Sequence, residues 1–183
     1  MAKTLIVNGS PRPRGDTAAL IAALKAELKG EFVEISAFRS CISPCVDCRS
    51  CWKTAKCAVR DDMDIIYADD FDAVVLASPV WYMTLPGPML GLMSRFQPQH
   101  AADFFLNKDL GIRPKKAGLI LTAGGAKGNW EGAMHHVKVF FRMMNAHGFE
   151  EHSAMSLKTD FVPASEDAKA LADARARAEW LES

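Results

Sequence analysis

Short apolar runs alternate with longer stretches of helical periodicity along almost the whole chain. Residues 5–8 and 73–77 (AVVLA) have the length and apolarity of strands buried on both faces, residues 32–37 alternate, and residues 117–122 and 149–157 supply two more strands. Helical patterns lie between them. Residues 17–28 put Leu20, Leu24 and Leu28 on one face, with Asp16 or Thr17 available to cap the start. Asp61 and Asp62 open a short helix to about residue 69, and read as first-turn charges rather than catalytic groups. Pro86 and Pro88 suit the first turn of a helix carrying Met89, Leu92, Met93 and Phe96. Ala133, Val137, Phe140, Phe141 and Met144 form a broad stripe on a longer helix that stops before Gly148. Ser165 caps the last helix, with Glu166 and Asp167 in its first turn.

Five strands joined by helical crossovers predict an α/β fold, a doubly wound five-stranded parallel sheet with helices on both faces. Two segments break the rhythm. Neither has the composition of a linker and no internal repeat is present, so residues 1–183 read as one domain with a cysteine-rich loop at 41–57 and an insertion at about 97–116.

Charge and composition narrow the partners. With 22 Lys and Arg against 22 Asp and Glu and no basic tail, no broad face attracts a polyanion, so no nucleic acid is expected. No apolar run spans a bilayer, so no membrane is expected, and the run in MAKTLIVNGS is too short for a signal peptide. The expected location is cytoplasmic, where thiols stay reduced.

Doubly wound sheets bind ligands beyond the carboxyl ends of their strands, where the strand order reverses. The first turn there is NGSPRPRGDT: Gly9 and Gly15 permit unusual backbone, Ser10 and Thr17 offer hydroxyls, Arg12 and Arg14 offer charge, and the following helix offers free amides. Those donors favour a phosphate, although the spacing matches neither GxGxxG nor GxxxxGK[ST]. The turn after the third strand, SPVWYMTLPG, carries Val80, Trp81, Tyr82, Met83 and Leu85 where polar residues would be ordinary. Such a surface fits a ring system or a partner subunit, unless the side chains fold back into the core. The turn after the fourth strand, TAGGAKGNW, has Gly124, Gly125 and Gly128, which let main chain approach a flat ligand and also suit a plain turn. Together the turns describe a slot for a mononucleotide with a large planar ring.

Four thiols fall within residues 45–57 and Cys41 lies just upstream. Disulfides are the weakest explanation for a reduced compartment, leaving a metal site or a redox site. His135 and His136 are adjacent on a helix and point apart, a poor metal pair.

GSPRxxGxT after the first strand, SPVWY after the third and the glycine turn after the fourth resemble the flavodoxin-like FMN-dependent NAD(P)H oxidoreductases. Cys45-x2-Cys48-x2-Cys51-x5-Cys57, followed by Asp61-Asp62-Met63, resembles the compact motif of their iron–sulfur flavoprotein subgroup. The resemblance implies FMN with its phosphate on Ser10, Arg12, Asp16, Thr17 and neighbouring amides, Arg14 adding charge. It implies the isoalloxazine along Pro79, Val80, Trp81, Tyr82 and Met83, with Gly124 and Gly125 nearby, and a homodimer or homotetramer. Asp16 departs from the expected Asn, and its carboxylate suits a phosphate only if it turns away. For Cys45, Cys48, Cys51 and Cys57 two readings stand: ligands of a [4Fe–4S] cluster, for which one tight turn reaches three corners of the cube, or free or reversibly oxidised thiols. Zinc fits this spacing less well.

The expected function is an FMN-dependent oxidoreductase passing electrons from NAD(P)H or another donor to a small-molecule or protein acceptor, with the cluster as an added relay. Hydride transfer itself requires no side-chain acid or base, and none is assigned. The alternative is a flavodoxin-like electron carrier that docks to a redox protein partner and has no small substrate of its own.

Overall fold

Strands buried on both faces need helices against each face, and the chain folds to supply them. The computed structural model describes residues 2–125 and 130–183. Strands β1 (Lys3–Asn8), β2 (Glu31–Ser36), β3 (Ala73–Pro79), β4 (Lys115–Ala123), β5 (Ala146–His147) and β6 (Ser153–Leu157) form one sheet in the order β2–β1–β3–β4–β5, with β6 also paired to β4. Every ladder is parallel, with Val7 beside Leu76 and Leu76 beside Leu119 at the centre.

Alternate residues of the strands enter two cores. Ile6, Val75 and Ile120 pack against α1 (Asp16–Lys25) and α7 (Ala168–Glu182), where Ala170, Ala174 and Ala178 let the helix lie close. Leu5, Val7, Leu76 and Leu119 pack on the other face against α3 (Met63–Tyr67), α4 (Gly87–Met93) and α6 (Glu131–Met143) through Met63, Met89, Leu92, Val137 and Phe140. Among the described residues no helix is long and apolar enough to cross a membrane.

The structure revises four sequence expectations. The fifth strand is split: Ala146–His147 pairs with the start of β4, and Ser153–Leu157 pairs with its end. Gly148 turns the chain between them at φ +95, and a Cβ there would come within 2.6 Å of the Trp180 ring. The last helix is capped by Asp167, whose carboxylate accepts from the Ala170 amide at 3.0 Å, rather than by Ser165. The first helix ends at Lys25 and not at residue 28. Residues 97–116 begin as a helix, α5 (Gln97–Phe104), joined to α4 by a 3-10 turn at Ser94–Phe96. Phe105, just beyond α5, stacks on Trp52 of α2 (Cys51–Thr54) with ring centroids 4.4 Å apart, so this segment covers the cysteine loop.

Phe140 is fully buried and meets Phe96 and Phe141 edge-on. Phe140→Ala should lower the unfolding free energy by about 3–5 kcal/mol through lost burial and a residual cavity, read as a lower urea midpoint with the slope unchanged.

Candidate functional site

After β1 the chain adds β2 on one side and then crosses to β3 on the other, so the strand order reverses between β1 and β3. The turns leaving these strands diverge at that point and open a crevice. A cleft of about 630 Å³ lies at this rim, lined by Arg12, Pro79, Val80, Trp81, Tyr82, Thr122, Ala123, Gly124, Gly125, Thr159 and Asp160.

Its first wall is held by a polar relay. Glu34, paired with Lys25, accepts from Asn8 Nδ2 at 2.7 Å; Asn8 Oδ1 accepts from the Ser10 amide at 2.8 Å; Ser10 Oγ accepts from the Arg12 amide at 3.3 Å. Burial alone would raise the Glu34 carboxyl, but Asn8 and Lys25 hold it below its usual range, so the relay starts from a charged acceptor. Gly9 fits closely here, since a Cβ would sit 2.8 Å from both Met89 Cε and Ser78 Oγ and displace them. Helix α1 begins after Gly15, and among the described residues no side chain is bonded over its first amides.

The sequence-predicted residues divide. Arg12 lines the cleft, and Arg14 is exposed outside it. Ser10 and Thr17 are buried beneath the lining, with the Thr17 hydroxyl 2.8 Å from that of Thr122. Asp16 turns away: one carboxylate oxygen accepts from Arg12 at 3.1 Å and the other from the Ala164 amide at 3.0 Å. It therefore orients Arg12 and ties the first turn to the last one.

The second wall is a tight turn. Trp81 and Thr84 exchange both backbone hydrogen bonds at 2.9 Å, with Tyr82 and Met83 at φ 52 and 64 between them. Two consecutive left-handed residues are what a two-residue hairpin turn of this hand needs, and neither is glycine, so the turn carries strain. The Met83 carbonyl accepts from the Ala133 amide at 3.0 Å and fixes the turn to the start of α6, where Gly132 leaves room. Trp81 is half-exposed and Tyr82 is 98% exposed, so these rings do not fold back into the core.

Gly124 and Gly125 form the third wall; Gly128 lies outside the described residues. A Cβ on Gly124 would fall 2.3 Å from the Asp160 carboxylate. Thr159 and Asp160, which follow β6, are the part of the cleft that sequence reasoning missed. Their position after the last strand was the available signal, since every turn at this rim can reach the crevice.

The cysteines form a second, separate place. Cys45, Cys48, Cys51 and Cys57 line one narrow cavity with Arg95, and no lining residue is shared with the cleft. All five cysteines are free thiols. Asp47 and Arg49, either side of Cys48, and Ala55 adopt φ of 50, 57 and 56, an unusual density of left-handed non-glycine residues. The loop is tied from outside. The amides of Cys41, Ser43 and Cys45 donate to Asp62 (2.7 Å), Asp61 (3.0 Å) and Ser94 Oγ (2.9 Å). Asp61 thus supports the cysteine loop as well as bonding the Met63 amide at the start of α3. Arg95, buried to 1%, donates to Asp61 at 2.7 Å and to the carbonyls of Ser43 and Val59 at 2.8 and 3.2 Å.

Burial pushes the Cys51 thiol up, and the neighbouring sulfurs of Cys45, Cys48 and Cys57 add to it. Burial and the Cys57 thiol push the Tyr67 phenol up as well. A thiol such as Cys51, whose ionisation is opposed by burial and by neighbouring sulfurs, is relieved by a bound cationic group. Among the described residues no three His, Cys, Asp or Glu side chains gather as a single metal ion requires. A cube of irons instead takes each thiolate at its own corner, a wider arrangement.

Fold and site together define a flavodoxin-like α/β protein with a rim cleft and a thiol-lined cavity. The profile of the NADPH-dependent FMN reductase family matches residues 2–160, and the chain belongs to that family. It is an NAD(P)H-dependent FMN oxidoreductase, with FMN as its flavin. It is 28% identical over 144 residues to an iron-sulfur flavoprotein of Methanocaldococcus jannaschii, covering 76% of this chain and 71% of that one. An iron-sulfur flavoprotein of Archaeoglobus fulgidus is 34% identical over 103 residues, 52% of this chain and 46% of that one. The fold superposes on an FMN-dependent NADH-azoreductase of Bacillus anthracis solved with FMN at a TM-score of 0.69, with 15% identity, covering 99% of this chain and 100% of that one.

Burial would raise the Asp61 carboxyl, but Arg95 and the Ser43 and Met63 amides bring it below the usual carboxylate range. A depressed folded value means that its stabilisation is complete above the unfolded value of about 3.9 and is lost as pH falls through the lower folded one. Asp61→Asn, which leaves Arg95 buried and unpaired, should cost about 3–5 kcal/mol at pH 7. The gap from the wild type in urea midpoint should close only below about pH 4.

Proposed function

We propose that FMN lies in the rim cleft with its phosphate at the start of α1 and its ring along Pro79–Met83, and that Cys45, Cys48, Cys51 and Cys57 hold a [4Fe–4S] cluster. The carrying observation is that an uncapped helix start, an exposed aromatic turn and a glycine pair bound the crevice where the strand order reverses. Four free thiols around one cavity, in a loop pinned from α3 and the 3-10 turn, support the cluster. The resemblance to iron-sulfur flavoproteins of two archaea supports it too.

When bound, FMN supplies the hydride and electron chemistry, and a cluster carries electrons one at a time. The chain supplies placement. Arg12, steered by Asp16, offers charge to the phosphate; the buried Thr17–Thr122 pair braces β4 against α1 at the cleft floor. Trp81 offers a face for a planar ring, and Gly125, with open space over its Cα, admits the ring edge. The exposed Tyr82–Met83 turn is where a second copy of the chain would close the cleft, a homodimer or homotetramer that sedimentation of the flavin-loaded protein tests.

Arg12→Ala should weaken FMN binding by about tenfold to a hundredfold, the loss of one charge-assisted hydrogen bond, read by quenching of flavin fluorescence in titrations of apoprotein. An unchanged affinity removes Arg12 from the phosphate site. Anaerobically purified protein should contain iron and acid-labile sulfide beside FMN; flavin without either rules out the cluster. NAD(P)H oxidation with a quinone acceptor identifies a small-molecule reductase, and turnover with a protein acceptor alone identifies the carrier reading.

A further inference from the structure

We propose that Arg95 is the positioning residue of the cysteine site, one edge of its guanidinium fixed to the protein and its remaining Nε–H kept for a sulfur of the bound group. The inference rests on the proposed cluster and extends it to a residue outside the cysteine motif.

Arg95 stands on the 3-10 turn between α4 and α5, is 1% exposed, and lines the same cavity as Cys45, Cys48, Cys51 and Cys57. Its terminal nitrogens bond Asp61 and the carbonyls of Ser43 and Val59, which lie just before and just after the cysteine segment. One side chain therefore clamps both ends of the loop. Its Nε is buried and has no hydrogen-bond partner among the described residues, while the Cys57 thiol lies within reach of the guanidinium. The one other such atom among the described residues, Gln99 Oε1, belongs to a side chain that does not line this cavity. Buried N–H groups are almost always satisfied, so an orphan on a side chain that lines the thiol cavity marks an acceptor that arrives with the bound group. A thiolate or sulfide carrying excess negative charge is such an acceptor, and hydrogen bonds to cluster sulfurs raise the reduction potential.

A role confined to clamping the loop would leave the potential alone. The test therefore compares wild type, Arg95→Lys, and the double variant Asp61→Asn with Arg95→Met after anaerobic reconstitution with ferrous iron and sulfide. The double variant removes both charges together, so the net charge is unchanged and no buried ion is left unpaired. FMN content reports folding, and Arg95→Lys, which keeps the charge beside Asp61, carries the comparison if the double variant does not fold. The expected result is a midpoint potential, followed by electron paramagnetic resonance, that shifts negative in both variants and further in the double one. Iron should be lost to a chelator at least about tenfold faster, the usual scale for groups that support metal ligands. Variants matching the wild type in potential and iron loss overturn the assignment of Arg95 while the cluster stands. Wild-type protein that binds FMN but takes up neither iron nor sulfide overturns the cluster reading and this inference with it.

Discussion

Parallel pairing of β1 with β3, from Thr4 beside Ala73 to Asn8 beside Ala77, sets the position of almost everything else in the molecule. Both strands are flanked on each side by another strand and covered on each face by helices, so their backbone groups are satisfied within the ladders and their side chains within two cores. Parallel strands also send all their strand-to-helix turns to one rim. Because β2 lies on one side of β1 and β3 on the other, the turns leaving β1 and β3 must part company there. The cleft is a consequence of that divergence rather than of any single residue that lines it.

Left-handed backbone occurs at both places where ligands are proposed to sit. Tyr82 and Met83 are left-handed without being glycine, and so are Asp47, Arg49 and Ala55 in the cysteine loop. Each conformation is held from outside: the aromatic turn by the Met83 carbonyl on α6, the cysteine loop by Asp61, Asp62, Ser94 and Arg95. The packed scaffold fixes both turns in shapes that their own sequences do not prefer, which is the pre-organisation that binding a rigid group requires.

The two sites are physically distinct. The cleft belongs to the rim, whereas the thiol cavity lies against the 3-10 turn and the start of α5, with Gln97 and Pro98 among its lining. What joins them is α4, whose start follows the aromatic turn and whose end leads into Ser94 and Arg95.

The repeating pattern of apolar strands and amphipathic helices was enough to determine the doubly wound sheet, because burial on two faces leaves few other ways to place such segments. Glycines, arginines and aromatics in the rim turns were legible for the same reason: their types are unusual at those places. Local sequence could not decide the direction of a side chain, which depends on partners far along the chain. Asp16 reads as a cap or a phosphate contact until Ala164, brought from beyond β6, takes its second oxygen. Asp61 reads as a helix-start charge until Arg95 meets it in a buried pair. Thr159 and Asp160 carry no motif and join the cleft only because β6 ends at the same rim. Periodicity is a local property, so the sequence by itself determined the parallel sheet and most of its helices, though not the break in the last strand at Gly148. Long-range hydrogen bonds and charge pairs exist only once that sheet has closed, and the tertiary structure decided those.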